Sequence, residues 1–230
     1  MNDRYNSLHT DRMQSRGATT VIDGAAHRVL RNTYMLLSIT LGFSAITAGV
    51  SAALRLPHPG ILITLLGYFG LLFLVTKNRD RGLGVAFLFA LTGFMGYTLG
   101  PVIGHYLNMP NGAQTVMLAF GGTAAIFMAL SAYALTTKRD LSFMGGFLAV
   151  GILVAFLAGL AAIFFSIPAL SLTVSAVFVL LMSGMILYET NNIVRGGETN
   201  YVMATLSLFV SIFNLFTSLL HLLGFASSKD

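Results

Sequence analysis

Glu189 is the side chain most able to do chemistry. It closes a charge-free run over residues 141–188 and is followed by Asn191 and Asn192. A carboxylate at the end of an apolar helix is costly unless it is hydrated, paired or protonated. Two readings are open. Glu189 is a proton- or cation-sensitive switch, or it is an interfacial carboxylate that reaches water beside Arg195. The segment 201–225 supplies the second feature. Ser207, Ser211, Asn214 and Ser218 follow a three-to-four spacing and form one polar stripe, with Thr217 alongside. Such a stripe lines a water path or hydrogen-bonds neighbouring helices. Asn214 is its strongest member, because a bare amide facing lipid is expensive.

Other chemistry is sparse. His105 and His221 fall near the ends of apolar segments, where histidine senses pH or sits at an interface without a task. Tyr97, Tyr106 and Tyr188 suit interface or packing positions. The chain has no Cys, which excludes disulfides, thiolate metal sites and cysteine nucleophiles. No HExxH, GxSxG or GxxxxGK[ST] pattern occurs, and no second acid lies beside Glu189 in sequence. Nothing demands an enzyme, a metal site or a cofactor.

The elements that must position these residues are read from where charge is missing. Residues 32–54, 56–76, 82–137, 141–188 and 199–228 contain no Asp, Glu, Lys or Arg. A hydrocarbon core about 30 Å thick takes roughly 20 apolar residues of helix to cross. The first, second and last runs fit one span each, and the other two fit two each. The expected class is an all-α polytopic membrane protein with seven transmembrane helices. Charged residues make up 9% of the chain, against about 25% in soluble domains. The expected divisions are a polar, flexible tail over 1–28, a seven-helix domain over 29–226 and a short end over 227–230. The tail has no apolar stretch of a cleaved signal, so the first span reads as an uncleaved anchor.

Turn chemistry marks the breaks. The first helix, 29–54, ends before Leu56-Pro57-His58-Pro59-Gly60, and the second runs over 60–75. Asn108-Met109-Pro110-Asn111-Gly112 divides the third helix from the fourth, and Ser166-Ile167-Pro168 divides the fifth from the sixth. Proline is tolerated at the start of that sixth helix. Gly96, Gly100 and Gly104 recur at intervals of four, as do Gly151, Ala155 and Gly159. Small residues one turn apart let another backbone approach closely, so these are helix-packing candidates.

The net charge of +5 reflects topology rather than nucleic acid. With the head in the cytoplasm, that side receives Arg4, Arg12, Arg16, Arg28, Arg31, Lys77, Arg79, Arg81, Lys138, Arg139 and Arg195. The opposite side receives Arg55 and Lys229. This is a strong positive-inside bias, placing the N-terminus in the cytoplasm and the C-terminus outside. The partner that composition implies is membrane lipid.

Four segments carry a resemblance. They are His27-Arg28-Val29-Leu30-Arg31-Asn32-Thr33-Tyr34, Ser131-Ala132-Tyr133-Ala134-Leu135-Thr136-Thr137-Lys138-Arg139-Asp140, Tyr188-Glu189-Thr190-Asn191-Asn192-Ile193 and Gly196-Gly197-Glu198-Thr199-Asn200-Tyr201. In this order, on a seven-span plan over roughly 27–226, the chain resembles the Bax inhibitor family of membrane proteins. It is most similar to bacterial inner-membrane members that modulate the FtsH protease. The resemblance implies a bundle with the last helix central and six around it, an inner-membrane location with a periplasmic C-terminus, and FtsH as partner. The family's calcium-leak members pair two aspartates, one on each of the last two helices, as a pH-sensitive latch. The matching positions here look like Glu189 and Ser211, so the acid pair is absent. A pH-sensitive Ca²⁺ or H⁺ leak is the alternative function implied.

Overall fold

A computed structural model describes the backbone of residues 2–227 and the side chains of residues 24–227. Seven helices follow one another: α1 (Asn2–Ala53), α2 (Ile61–Lys77), α3 (Gly82–Leu107), α4 (Gly112–Thr136), α5 (Met144–Phe164), α6 (Pro168–Val194) and α7 (Tyr201–Ser227). The tail expected over 1–28 lies outside the described side chains except for Gly24–Arg28, which continue α1 as helix. Of the short end over 227–230, only Ser227 is described.

The breaks have local causes. Arg55 takes a left-handed backbone (φ 50°), and the two prolines that follow keep the chain extended until Gly60 (φ 87°). As a result α2 starts at Ile61 and has 17 residues, about 26 Å at 1.5 Å per residue. Among the described residues six helices are long and apolar enough to cross a membrane, and α2 falls just short. Asn111 turns the chain into α4 with φ 57°. Gly112 is required there, since a Cβ would overlap the Tyr106 carbonyl. Pro168 sits in the first turn of α6, where its missing N–H costs nothing. Pro101 lies inside α3 without ending it.

The outer faces are apolar. Leu66, Phe147, Phe164 and Leu180 are each more than 70% exposed. On a water-soluble protein so much apolar surface would drive association; here it suits lipid. The core is built on α7. Half of its apolar window is buried, against 17% for α5, and Leu208, Phe209 and Leu215 are closed off completely or nearly so. α7 packs against α6, α4, α1 and α3. The last helix is therefore central, but the ring around it is uneven. α2 leans on α3 and α5 leans on α6, and a cavity holds both away from α7.

Lipid tails are as apolar as leucine, so close approach of backbones, rather than loss of water, must hold such helices together. α1 and α3 show this. Gly96 faces the Ser44 carbonyl and Thr47 Oγ1, and Gly100 faces Ser51 and the Ala48 carbonyl. Ser51 Oγ then donates to the Tyr97 carbonyl at 3.0 Å, across the seam. Gly104, expected in the same seam, lies beyond it with no neighbour within 4 Å. The reason is that α1 ends at Ala53 and the chain turns at Arg55, so Gly104 faces a cavity lined by Ala52, Ala53, Arg55 and Leu56 rather than a packed helix. On α5, a Cβ at Gly151 would come within 2.8 Å of Leu181. Ala155 is buried, and Gly159 makes only ordinary contact with Val174.

Candidate functional site at the basic end of the bundle

Three loops carrying basic residues meet at one end. Asn200 ties the first to α7. Its Nδ2 donates to the Arg79 carbonyl at 3.1 Å and to Asp80 Oδ1 at 2.8 Å. Its Oδ1 accepts from the amides of Val202 and Met203 at 2.9 and 3.1 Å. Those amides are among the donors that the first turn of a helix leaves open, so Asn200 is an N-cap and a loop anchor at once. Asn191 ties the second loop to α6. It accepts from the Leu141 amide and donates to the Arg139 carbonyl, both at 3.3 Å. Arg195 adds a hydrogen bond to the Lys138 carbonyl. In that loop, the Ser142 hydroxyl (2.6 Å) and amide (2.8 Å) both donate to Asp140. These bonds favour the ionised form and hold the Asp140 carboxyl below its ordinary range. Whatever order they lend the loop is thus present above the usual carboxylate pKa and lost as pH falls through the lowered one.

Glu189 lies just inside this end, on α6, and is only 9% exposed. It accepts a 2.8 Å hydrogen bond from Ser207 Oγ of α7. Arg195 points to the loop instead, and the one ion pair among the described residues is Arg79–Asp80 at 3.6 Å. Glu189 therefore has a hydroxyl rather than a cation for its partner.

Ser211 is one turn further along. Its hydroxyl turns back to the Ser207 carbonyl at 2.8 Å and does not bond Glu189. Asn214 likewise bonds its own helix, Nδ2 to the Val210 carbonyl at 2.8 Å. The stripe is thus a row of three residues, Ser207, Ser211 and Asn214, on the wall of the cavity of about 630 Å³ between α7 and the outlying α2 and α5. Ser218 lies apart from that wall, as does Thr217, which bonds back within α7. His221 reaches α6, where its Nδ1 meets Ser175 Oγ at 2.8 Å. His105 is exposed at the end of α3. Among the described residues no cluster of three His, Cys, Asp or Glu is placed to hold a metal ion.

The comparisons with known proteins assign the chain to a family. Residues 26–228 match the family model described as inhibitor of apoptosis-promoting Bax1. The chain belongs to this Bax inhibitor family. Three bacterial relatives cover nearly all of it. The modulator of FtsH protease YccA of Escherichia coli K12 is 54% identical over 88% of this chain and 92% of its own length. A protein of a second Escherichia coli strain, named inner membrane protein YccA, matches to the same extent. An uncharacterized protein of Pseudomonas aeruginosa is 52% identical over 88% of this chain and 91% of its own. The Bax inhibitor match covers α1 from Ala26 to the end of α7, and so takes in Glu189, Ser207 and both asparagine anchors.

Residue types and spacing did not single out the anchors. Asn200 carried a readable signal, an asparagine directly before an apolar helix. Asn191 carried none, since nothing in its spacing tells that the loop 137–143 folds under it. The hydroxyls of Thr33, Tyr34, Ser131 and Thr190 are buried with no hydrogen-bond partner among the described residues, and only the resemblance had drawn attention to their segments.

Proposed function

We propose that this protein is a seven-span inner-membrane modulator of the membrane-bound FtsH protease, which it occupies as a slowly extracted substrate. The observation that carries the reading is the 54% identity, over 88% of the chain, to a relative named for that role. The bundle suits the role physically. A protease that pulls on one end must break the structure it meets. Here the basic end is laced by Asn191, Asn200 and Arg195, and α7 runs through the centre. In this reading α2 is the seventh span, its deficit of a few ångströms absorbed by local thinning of the bilayer. The basic loops lie in the cytoplasm by the positive-inside rule, the N-terminal tail with them, and the C-terminus is periplasmic.

The tail over 1–28 is the handle the protease grips. Deleting residues 2–20 should leave the membrane domain folded while the chain's own half-life in FtsH-containing cells changes severalfold. Protection of other FtsH substrates should disappear with it. Pulse-chase labelling reads both, and an unchanged half-life together with unchanged protection contradicts the proposal.

A second reading, a Ca²⁺ or H⁺ leak, is favoured by one observation. Glu189 is buried without a cation and lies one hydroxyl away from the cavity. Under that reading, proteoliposomes pass cations and Glu189→Gln changes the flux or its pH dependence. Sealed vesicles with no flux between about pH 5 and 8, the range in which physiological proton switches act, dispose of it.

A further inference from the structure

The cavity between α2, α3, α5, α6 and α7 has a shape, a wall chemistry and an entrance that together specify a ligand. Along α2 it extends from Thr64 to Thr76, and along α7 from Met203 to Asn214. At 1.5 Å per residue it is about 18 Å long. One lipid chain occupies half of a hydrocarbon core about 30 Å thick, or about 15 Å. The volume of about 630 Å³ falls within the range of about 300–1,000 Å³ typical of small-molecule sites.

The wall asks for hydrocarbon. No Asp, Glu, Lys, Arg or His lines it. The hydroxyls of Thr76, Thr98 and Ser211 donate to carbonyls of their own helices, that of Thr64 to the Gly60 carbonyl just before α2, and that of Ser207 to Glu189. With those hydroxyls turned away, the cavity presents mostly methyl, thioether and ring surface, interrupted by the Tyr68 hydroxyl and the Asn214 amide. Met95, Met182, Met185 and Met203 contribute flexible side chains that adapt to a mobile chain.

The entrance is lateral. α2 rests on α3 and α5 on α6. Between the two outlying helices, Phe69 meets Phe156 edge to face at 6.0 Å.

We infer that this cavity is a binding site for one acyl chain of a membrane phospholipid, admitted between α2 and α5 past Phe69 and Phe156. The inference does not depend on the protease reading. Its test uses the full chain in micelles containing phosphatidylglycerol or phosphatidylethanolamine, with native mass spectrometry after the micelle is stripped. The expected result is one retained lipid per chain, to the same degree for both headgroups. Val210→Phe and Ile152→Phe, which fill the cavity, should each lower retention about tenfold, equivalent to about 1.4 kcal/mol. Leu180→Phe, on the lipid-facing surface of α6, should leave it unchanged. Helicity checks each variant, and the two fillers sit on different helices so that a misfolded one is replaced by the other. The wild-type comparison of headgroups needs no variant. No retained lipid overturns the inference. So does retention of phosphatidylglycerol alone, which would mark a headgroup site, and so does equal retention by folded filler variants.

Discussion

Gly96→Val should destabilise the bundle by about 1–3 kcal/mol, the range expected when branched bulk is forced into a packed seam. The new side chain would overlap the Ser44 carbonyl and Thr47 Oγ1 of α1. A backbone carbonyl cannot swing aside as the tip of a leucine can, so α1 and α3 must separate. Gly100→Val should act similarly through Ser51 and the Ala48 carbonyl, and would also threaten the bond from Ser51 to the Tyr97 carbonyl. Gly104→Ala is the internal control. It has no neighbour within 4 Å and should stay within about 0.5 kcal/mol of the parent. Reversible unfolding in mixed micelles, followed by circular dichroism, measures all three. Equal stability for Gly96→Val and Gly104→Ala would mean that α1 and α3 are not apposed as described.

The second large effect concerns Glu189. A buried carboxylate whose partner is one hydroxyl depends heavily on that hydroxyl. Ser207→Ala should cost about 1.5–3 kcal/mol, the range for a hydrogen bond to a charged group. Glu189→Leu removes the acceptor, and Ser207→Ala in that background should cost almost nothing. The double-mutant cycle is therefore non-additive by most of the value of the bond. Glu189→Gln keeps an acceptor oxygen for Ser207 Oγ and should be milder than Glu189→Leu where the bond is concerned. Ser211→Ala, whose hydroxyl bonds only its own helix, should show no coupling to Glu189. Costs that simply add for Ser207 and Glu189 would show that the 2.8 Å contact is not the one holding the carboxylate.

This second prediction marks the limit of legibility. Spacing along α7 placed Ser207 and Ser211 on one face, but two hydroxyls a single turn apart differ only in height. Which of them meets α6 depends on how the helices cross, and one chain's periodicity contains no information on that. The same limit explains Gly104. The interval of four was plain, but the end of its partner helix was set by Arg55 and the two prolines far away in sequence. His221, readable as an idle interfacial residue, has a partner because Ser175 of α6 faces it. Where one segment alone decides, the sequence was informative. Charge-free runs located the helices, Asn111-Gly112 and Pro168 marked helix starts, and Pro57 with Pro59 kept α2 from beginning sooner. The charge pattern told that loops 78–81, 137–143 and 195–200 share an end. It was silent on Asn191 and Asn200, the side chains that stitch them together.

The most direct test of the account is a rate. FtsH, one of its membrane substrates and the full chain are placed in the same proteoliposomes, and loss of the substrate is followed with time. The account predicts that the full chain slows substrate loss severalfold, and that the loosened Gly96→Val chain slows it less because it is pulled apart sooner. Substrate loss at the same rate with and without the chain would contradict it.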